Sequence, residues 1–254
     1  MNNESTKKTI GVALGVCLVC SVLVSATAVG LKARQRENQR LEKLRNILLA
    51  GGIDPAEGEV DALYNENIES IQIDLASGAA SSAMKNIDLK AALKAAALHE
   101  ALLPETDLAG IRVRPVALSI YAVREAGAVS RWILPFAGKG LWSTMYGFIA
   151  LDADLKTVRG LTFYEHGETP GLGGEVDNPR WKAQWNGKIA FDDAGVLLLR
   201  VIKGKVDLSS PAAMHQVDGL SGSTLTTRGV DNTLRFWLGA EGYGPWLKKM
   251  RGEG

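Results

Sequence analysis

The sequence predicts a single N-terminal transmembrane helix followed by a soluble, mixed α+β domain. Three observations predict it. Residues 9–31 hold no charged side chain. Past Gly110, short apolar runs of strand length recur between turn residues. Helical patterns fall among those runs irregularly, without the strict strand-and-helix alternation of a doubly wound parallel sheet.

A tail of residues 1–8 precedes the apolar run. From Thr9 to Leu31 the run is 23 residues long, and at about 1.5 Å per residue a helix of that length crosses a hydrocarbon core of roughly 30 Å. The same residues admit a second reading, because Lys7 and Lys8 make a basic start and Ala26-Thr27-Ala28 resembles the small-residue site of a cleaved signal peptide. The run exceeds the roughly 7–15 apolar residues of a signal core, which favours the anchor. Gly11 and Gly15 form a lone GxxxG, weak evidence for a closely packed neighbouring helix. Both cysteines, Cys17 and Cys20, lie in this run, so the rest of the chain cannot form disulfides. In an apolar helix such a pair is more often packing than redox or metal chemistry. The basic flank of Lys32, Arg34 and Arg36 outnumbers Lys7 and Lys8, and by itself places the following domain on the cytoplasmic side.

Residues 32–109 read as a membrane-proximal helical region. Leu41, Leu44 and Leu48 share one face of a helix over Lys32 to Ala50, which Gly51-Gly52 ends. Asn86 to Leu103 is rich in Ala and closed by Pro104, the pattern of a second helix. Residues 110–254 form the α+β domain, with strands expected at Ile111 to Val116, Leu118 to Val123, Tyr146 to Leu151, Val158 to Tyr164 and Val196 to Ile202. Asp152-Ala153-Asp154 supplies a turn. Asn178-Pro179 opens a short helix in which Trp181 and Trp185 share a face. Val230, Leu234, Trp237 and Leu238 paint the apolar face of a last helix, with Thr226 or Thr227 as its N-cap.

Composition removes several functional classes. The 254 residues leave enough chain beyond the span for one domain with a sizeable core. With 29 Lys plus Arg against 28 Asp plus Glu, nothing argues for a nucleic-acid partner. No G-x-G-x-x-G follows an expected strand, so a Rossmann site is not supported. No His, Cys, Asp and Glu cluster has ligand spacing, so a protein metal site is not expected. The isolated serines define no hydrolytic triad, and no catalytic residue is assigned. His166, in a loop, has some claim on a functional contact; His99 and His215 have less.

The stretch richest in chemistry is Asp218-Gly219-Leu220-Ser221-Gly222-Ser223-Thr224, hydroxyls and glycines just ahead of the last helix. Free N–H groups at a helix start and the dipole behind them favour an anion beside Thr224. Ordinary capping and turn chemistry yields the same composition, and local physics does not decide between the two.

This run, followed by Leu225-Thr226, resembles the Asp-Gly-x-Ser/Thr-Gly-Ala-Thr attachment motif of covalent FMN-binding subunits of membrane redox complexes. Members include the C-type subunit of sodium-translocating NADH:quinone oxidoreductases and the shorter G-type subunit of Rnf-type complexes. The resemblance implies an FMN-binding domain over residues 110–254, with FMN joined through its phosphate to Thr224 by a separate flavin transferase that uses FAD and a divalent metal. Ser223 stands where the family has Ala, and adds a minor competing acceptor. Asp218, Ser221, Gly222 and Ser223 come with the motif as cofactor-binding positions. His166-Gly167-Glu168-Thr169-Pro170-Gly171-Leu172-Gly173-Gly174 resembles the family's Glu-Thr-Pro-Gly-Leu-Gly element, making Thr169, Gly171, Leu172 and Gly173 flavin contacts. Gly138-Lys139-Gly140-Leu141-Trp142 matches another family stretch. The function implied is an electron carrier helping to couple NADH oxidation by ubiquinone to sodium export, with no turnover alone. An Rnf subunit is the alternative, which the long segment before Gly110 disfavours. Its partners are the other subunits, the transferase and the membrane. The family places the domain on the periplasmic side of a bacterial inner membrane, against the local charge count.

Overall fold

The structure, a computed structural model, describes residues 3–56, 58–80 and 87–252. It divides into two compact units, Met1–Lys43 and Leu44–Gly254. The first is helix α1 (Asn3–Ala50) up to Lys43. Its apolar side chains from Ile10 to Leu31 are exposed around the whole circumference, an arrangement that water opposes and hydrocarbon solvates. Ser21 and Thr27 donate their hydroxyls to the carbonyls of Cys17 (2.7 Å) and Leu23 (2.9 Å), which hides those polar groups within the helix. Among the described residues this is the one helix long and apolar enough to cross a membrane.

The second unit begins with the last turns of α1, where Ile47 and Leu48 are completely buried. The helix stops at Gly51-Gly52 as the sequence predicts. Gly52 takes a positive φ of 77°, and the N–H groups of Gly51 and Ile53 return to the carbonyls of Ile47 and Leu48, both at 2.9 Å. Arg131 donates to the Gly51 carbonyl from the sheet. Then follow α2 (Val60–Asn67), β1 (Ile68–Asp74), α3 (Leu89–Lys94), β2 (His99–Ala101), β3 (Val113–Pro115), β4 (Ala117–Glu125), β5 (Ala128–Lys139), β6 (Thr144–Asp152) and β7 (Val158–Glu165). After these come α4 (Pro179–Ala183), β8 (Arg200–Val201), β9 (Gln216–Val217), α5 (Thr224–Trp237) and α6 (Gly244–Arg251).

The main sheet has the order β1-β4-β5-β6-β7 and is antiparallel throughout, so the domain is α+β as predicted. Both faces are covered. Ile120, Trp132, Leu134, Phe136 and Ile149 join the core cluster that holds Val230, Leu234 and Trp237 of α5. Tyr121, Val123, Ile133 and Phe148, one residue out of phase, are buried on the opposite face. Two hydrogen bonds fix the C-terminal helices to β5: Trp237 Nε1 donates to the Ala137 carbonyl (2.7 Å) and Tyr243 Oη to the Pro135 carbonyl (2.6 Å).

Several expectations need correction. The 32–109 stretch is not only helical, since it supplies β1, paired from Ile68↔Val123 to Asp74↔Ala117. The Ala-rich helix runs only from Leu89 to Lys94, started by the Asp88 carboxylate on the Ala91 N–H (2.9 Å). Ala95 is extended, and His99–Ala101 pairs with β3, so strand pairing overrides alanine's helix propensity. Asn86 lies outside the described residues. The strand expected from Ile111 shrinks to Val113–Pro115 because the N–H groups of Ile111 and Arg112 go to the Asp107 carboxylate (3.0 and 2.8 Å). The strand expected over Val196 to Ile202 shrinks to Arg200–Val201, where Asp231 of α5 takes the Val201 N–H (2.9 Å).

Candidate functional site

The carboxylate of Glu168 is the centre of the site region. It is 5% exposed, yet it follows the end of β7 in a loop. It accepts from three successive N–H groups, those of Leu141 (3.1 Å), Trp142 (2.9 Å) and Ser143 (3.2 Å), in the turn between β5 and β6. Its fourth donor is the Thr226 hydroxyl of α5, at 2.6 Å. Burial pushes this carboxyl up, but the Thr226 hydroxyl and the three N–H groups together outweigh it and hold the carboxyl below its ordinary value. Two glycines make room for it. A Cβ on Gly140 would stand 2.5 Å from Oε1, and one on Gly173 would stand 2.7 Å from Oε2 and 2.6 Å from Thr226 Oγ1. The three stretches Gly138–Trp142, His166–Gly174 and the start of α5 are thus joined through one side chain.

The Asp218–Thr224 loop enters α5 differently from the sequence prediction. The helix begins at Thr224, with Ser223 before it, and no side chain caps it. Thr226 and Thr227, expected as caps, are buried in the first turn. Thr227 Oγ1 accepts from the Leu220 N–H (2.9 Å) and donates to the Ser223 carbonyl (2.9 Å), folding the loop back on the helix. Ser223 is 5% exposed, and its hydroxyl donates to Thr226 Oγ1 at 2.8 Å, which in turn donates to Glu168. It is therefore committed to the interior, which argues against its competing with Thr224 as an acceptor. Thr224 and Ser221 are exposed.

Thr224 sits where two cavities meet. One, of about 250 Å³, is lined by Thr169, Leu172, Gly173, Glu168, Leu141 and Trp142 together with residues 222–225. Four of its apolar side chains stand in solvent: Leu141 is 40% exposed, Trp142 67%, Leu172 45% and Leu225 54%. The other, of about 350 Å³, is lined by Ser221, Asp218 and Thr227 and by Lys203 and Lys205. Of the residues singled out in the sequence, Thr169, Leu172, Gly173, Gly222, Ser223 and Thr224 converge on the first cavity, and Asp218 and Ser221 on the second. Gly171 lines neither and serves the turn, at φ 75°. His166 also lines neither. Its Nε2 pairs with Asp177 (2.7 Å), while Nδ1 accepts the Glu168 N–H (3.2 Å). Sequence reasoning gave no role to Glu168, Lys203 or Lys205. The signal for Glu168 was its place as the first residue of the Glu-Thr-Pro-Gly-Leu-Gly-like element, and the lysines fall in no motif.

Comparison with known proteins adds the family. The FMN-binding domain family model matches residues 140–239, which include the attachment-like loop and all the residues lining the first cavity. The C-type subunit of the Na(+)-translocating NADH-quinone reductase of Yersinia pestis is 50% identical over 98% of this chain and 95% of its own length. The corresponding protein of Pseudomonas aeruginosa is 50% identical over 98% of each chain. Among solved structures, Shewanella oneidensis NqrC superposes with a TM-score of 0.77 at 33% identity, covering 85% of this chain and 99% of that one. The equivalent reductase subunit from Parabacteroides distasonis superposes with a TM-score of 0.64 at 28% identity, covering 85% and 96%. With identity at this level over nearly the whole chain, the chain belongs to the NqrC family, the C-type subunits of Na(+)-translocating NADH-quinone reductases.

Proposed function

We propose that this chain is the electron-carrying flavoprotein subunit of a Na(+)-translocating NADH-quinone reductase, with FMN held covalently through its phosphate on Thr224. One observation carries the reading. Among the hydroxyls at the start of α5, those of Ser223, Thr226 and Thr227 are consumed in buried hydrogen bonds, whereas Thr224 is exposed at the mouth of a cavity. The residues present fit a flavin. Leu141, Trp142, Leu172 and Leu225 offer apolar surface that a flat ring would cover, and Thr169 adds a hydroxyl on the same cavity. FMN supplies the one- and two-electron chemistry when bound. The chain's own residues supply the tether, the apolar walls and, through Glu168, the fixed geometry of the loops that carry them. A covalent tether removes the need for a deep dinucleotide cradle. The relatives matched over nearly the whole chain are C-type subunits, which leaves the Rnf alternative without support.

Residues 9–31 are the single membrane span in this reading, and the flavin domain is the unit Leu44–Gly254, which takes in β1 as well as residues 110–254. Resemblance to the family puts the domain on the periplasmic side of a bacterial inner membrane, and the contrary basic flank does not oppose this, because long domains translocate largely regardless of flanking charge. Flavin transferase installs the cofactor: the bond from Thr224 Oγ1 to phosphorus forms, the anhydride bond of FAD breaks, AMP leaves, and the hydroxyl proton is lost. Intact mass and peptide mapping after co-expression with a flavin transferase test this. The expected result is an FMN-sized increment on the Thr224 peptide that is absent in Thr224→Ala. A wild type left unmodified where a known target is modified would sink the reading, and modification retained in the variant would move it to another hydroxyl.

A further inference from the structure

The second cavity at Thr224 has no part in the reading so far. Two exposed lysines, Lys203 and Lys205, line it. Among the described residues neither enters an ion pair. Asp218 is the one carboxylate on the same cavity; its Oδ1 accepts the Val206 N–H at 2.7 Å. The lining therefore sets two lysines against a single carboxylate and carries a net positive charge.

Their position is built by the first two residues of the attachment-like motif. Besides the Asp218 bond to Val206, the Gly219 N–H donates to the Gly204 carbonyl (2.8 Å), and the Ile202 N–H donates to the Val217 carbonyl (3.0 Å). Asp218 is itself anchored, with its N–H on Gln184 Oε1 (3.0 Å) and its carbonyl accepting Trp181 Nε1 (2.8 Å). Gly219 has no room for a side chain: a Cβ there would collide with the Ile202 carbonyl and stand 3.1 Å from the Gly204 nitrogen. Asp218 and Gly219 thus dock the lysine loop onto the loop that presents Thr224.

Two ammonium groups on one cavity repel each other and raise its potential, and an anion placed there relieves both effects. The apolar side chains line the other cavity, so the two spaces differ in chemistry as the two ends of a flavin mononucleotide do. We propose that Lys203 and Lys205 form an anion subsite that receives the phosphodiester linking Thr224 to its nucleotide, leaving the ring to the apolar cavity. This rests on the attachment reading above.

Differential lysine acylation tests it on the full chain. The FMN-loaded wild type and the unloaded Thr224→Val variant are treated with a limiting amine-acylating reagent, and labelling is read by peptide mass. Lys203 and Lys205 are expected to react on the order of two- to fivefold more slowly in the loaded protein, the range an exposed ion pair supports. Lys94, an exposed lysine on neither cavity, serves as the reference and is expected not to change. Equal labelling of the two lysines in loaded and unloaded protein would overturn this inference alone. A wild type that takes up no FMN would overturn the attachment reading and this one with it. Protection of the unloaded variant by phosphatidylglycerol vesicles, without protection by FMN loading, would assign the lysines to a lipid surface and also overturn it.

Discussion

The Glu168 centre and the Thr224 rim are part of the same cavity wall, yet they are built in opposite ways. Around Glu168 every polar group has a partner: three backbone donors, two hydroxyls in series and two glycines that leave no spare volume. At the rim, a hydroxyl, an indole and three leucines stand in solvent. The difference teaches where stability and ligand chemistry reside. Saturated groups hold the loops in place, and unsaturated ones are left for whatever the loops are held in place to meet.

Substitutions sharpen this comparison. The largest loss of stability is expected from Glu168→Ala, which strips a charged acceptor from four donors and is expected to cost about 3 kcal/mol. Denaturant midpoints of the variant and wild type check it. The pH dependence carries a definite sign. The folded carboxyl lies below its ordinary value of 4.5, so its contribution is fully present above that value and is lost as pH falls through the lowered folded value. Glu168→Gln is expected to flatten this acid limb; a variant whose acid unfolding tracks wild type would contradict the assignment. Gly173→Ala comes next, at roughly 1–3 kcal/mol, because its methyl has no space beside Glu168 and Thr226. A crystal structure or melting curve showing no displacement would argue against the tight packing. Ser223→Ala removes one donor from a chain that still reaches Glu168, and is expected to cost under about 1 kcal/mol while leaving Thr224 modification intact. Trp142→Ala should be smallest, within about 0.5 kcal/mol, since most of its indole lies in solvent. A larger loss there would erase the distinction between rim and centre.

Much of the fold is legible in the sequence because periodicity reports burial. The face of α5, the glycine stop after Ala50 and the Asn178-Pro179 helix start follow from local rules, and Asn178 does accept the Arg180 N–H at 2.9 Å. Strands β4, β6 and β7 were readable from their apolar runs. The central strand β5 was not. Residues Trp132 to Gly138 are buried without interruption, so no alternation marks them, and Pro135 argues against a strand. The structure resolves the conflict: the ladder with β4 ends at Ile133, and Pro135 turns its carbonyl to Tyr243 instead of to a strand. Its nitrogen faces the same way, where no N–H is needed. At the site, the motif loops were legible as sequence, but their convergence was not. Glu168 and Thr226 are 58 positions apart, and nothing local couples them.

The order of strands in the sheet also bears on how the domain is made. From β4 to β7 each strand lies beside its sequence neighbour, so four strands close through short reversals that form early and cheaply in chain entropy. β1 is different: Ile71 faces Ile120 across an intervening stretch that contains α3, β2 and β3. A chain emerging from the ribosome therefore exposes the unpaired edge of β1, with its three isoleucines, well before its mate exists. By its sequence separation, closure of that edge, together with the burial of Ile47 and Leu48, is expected to be the slow, nonlocal event of folding, and the interval before it the one most open to aggregation.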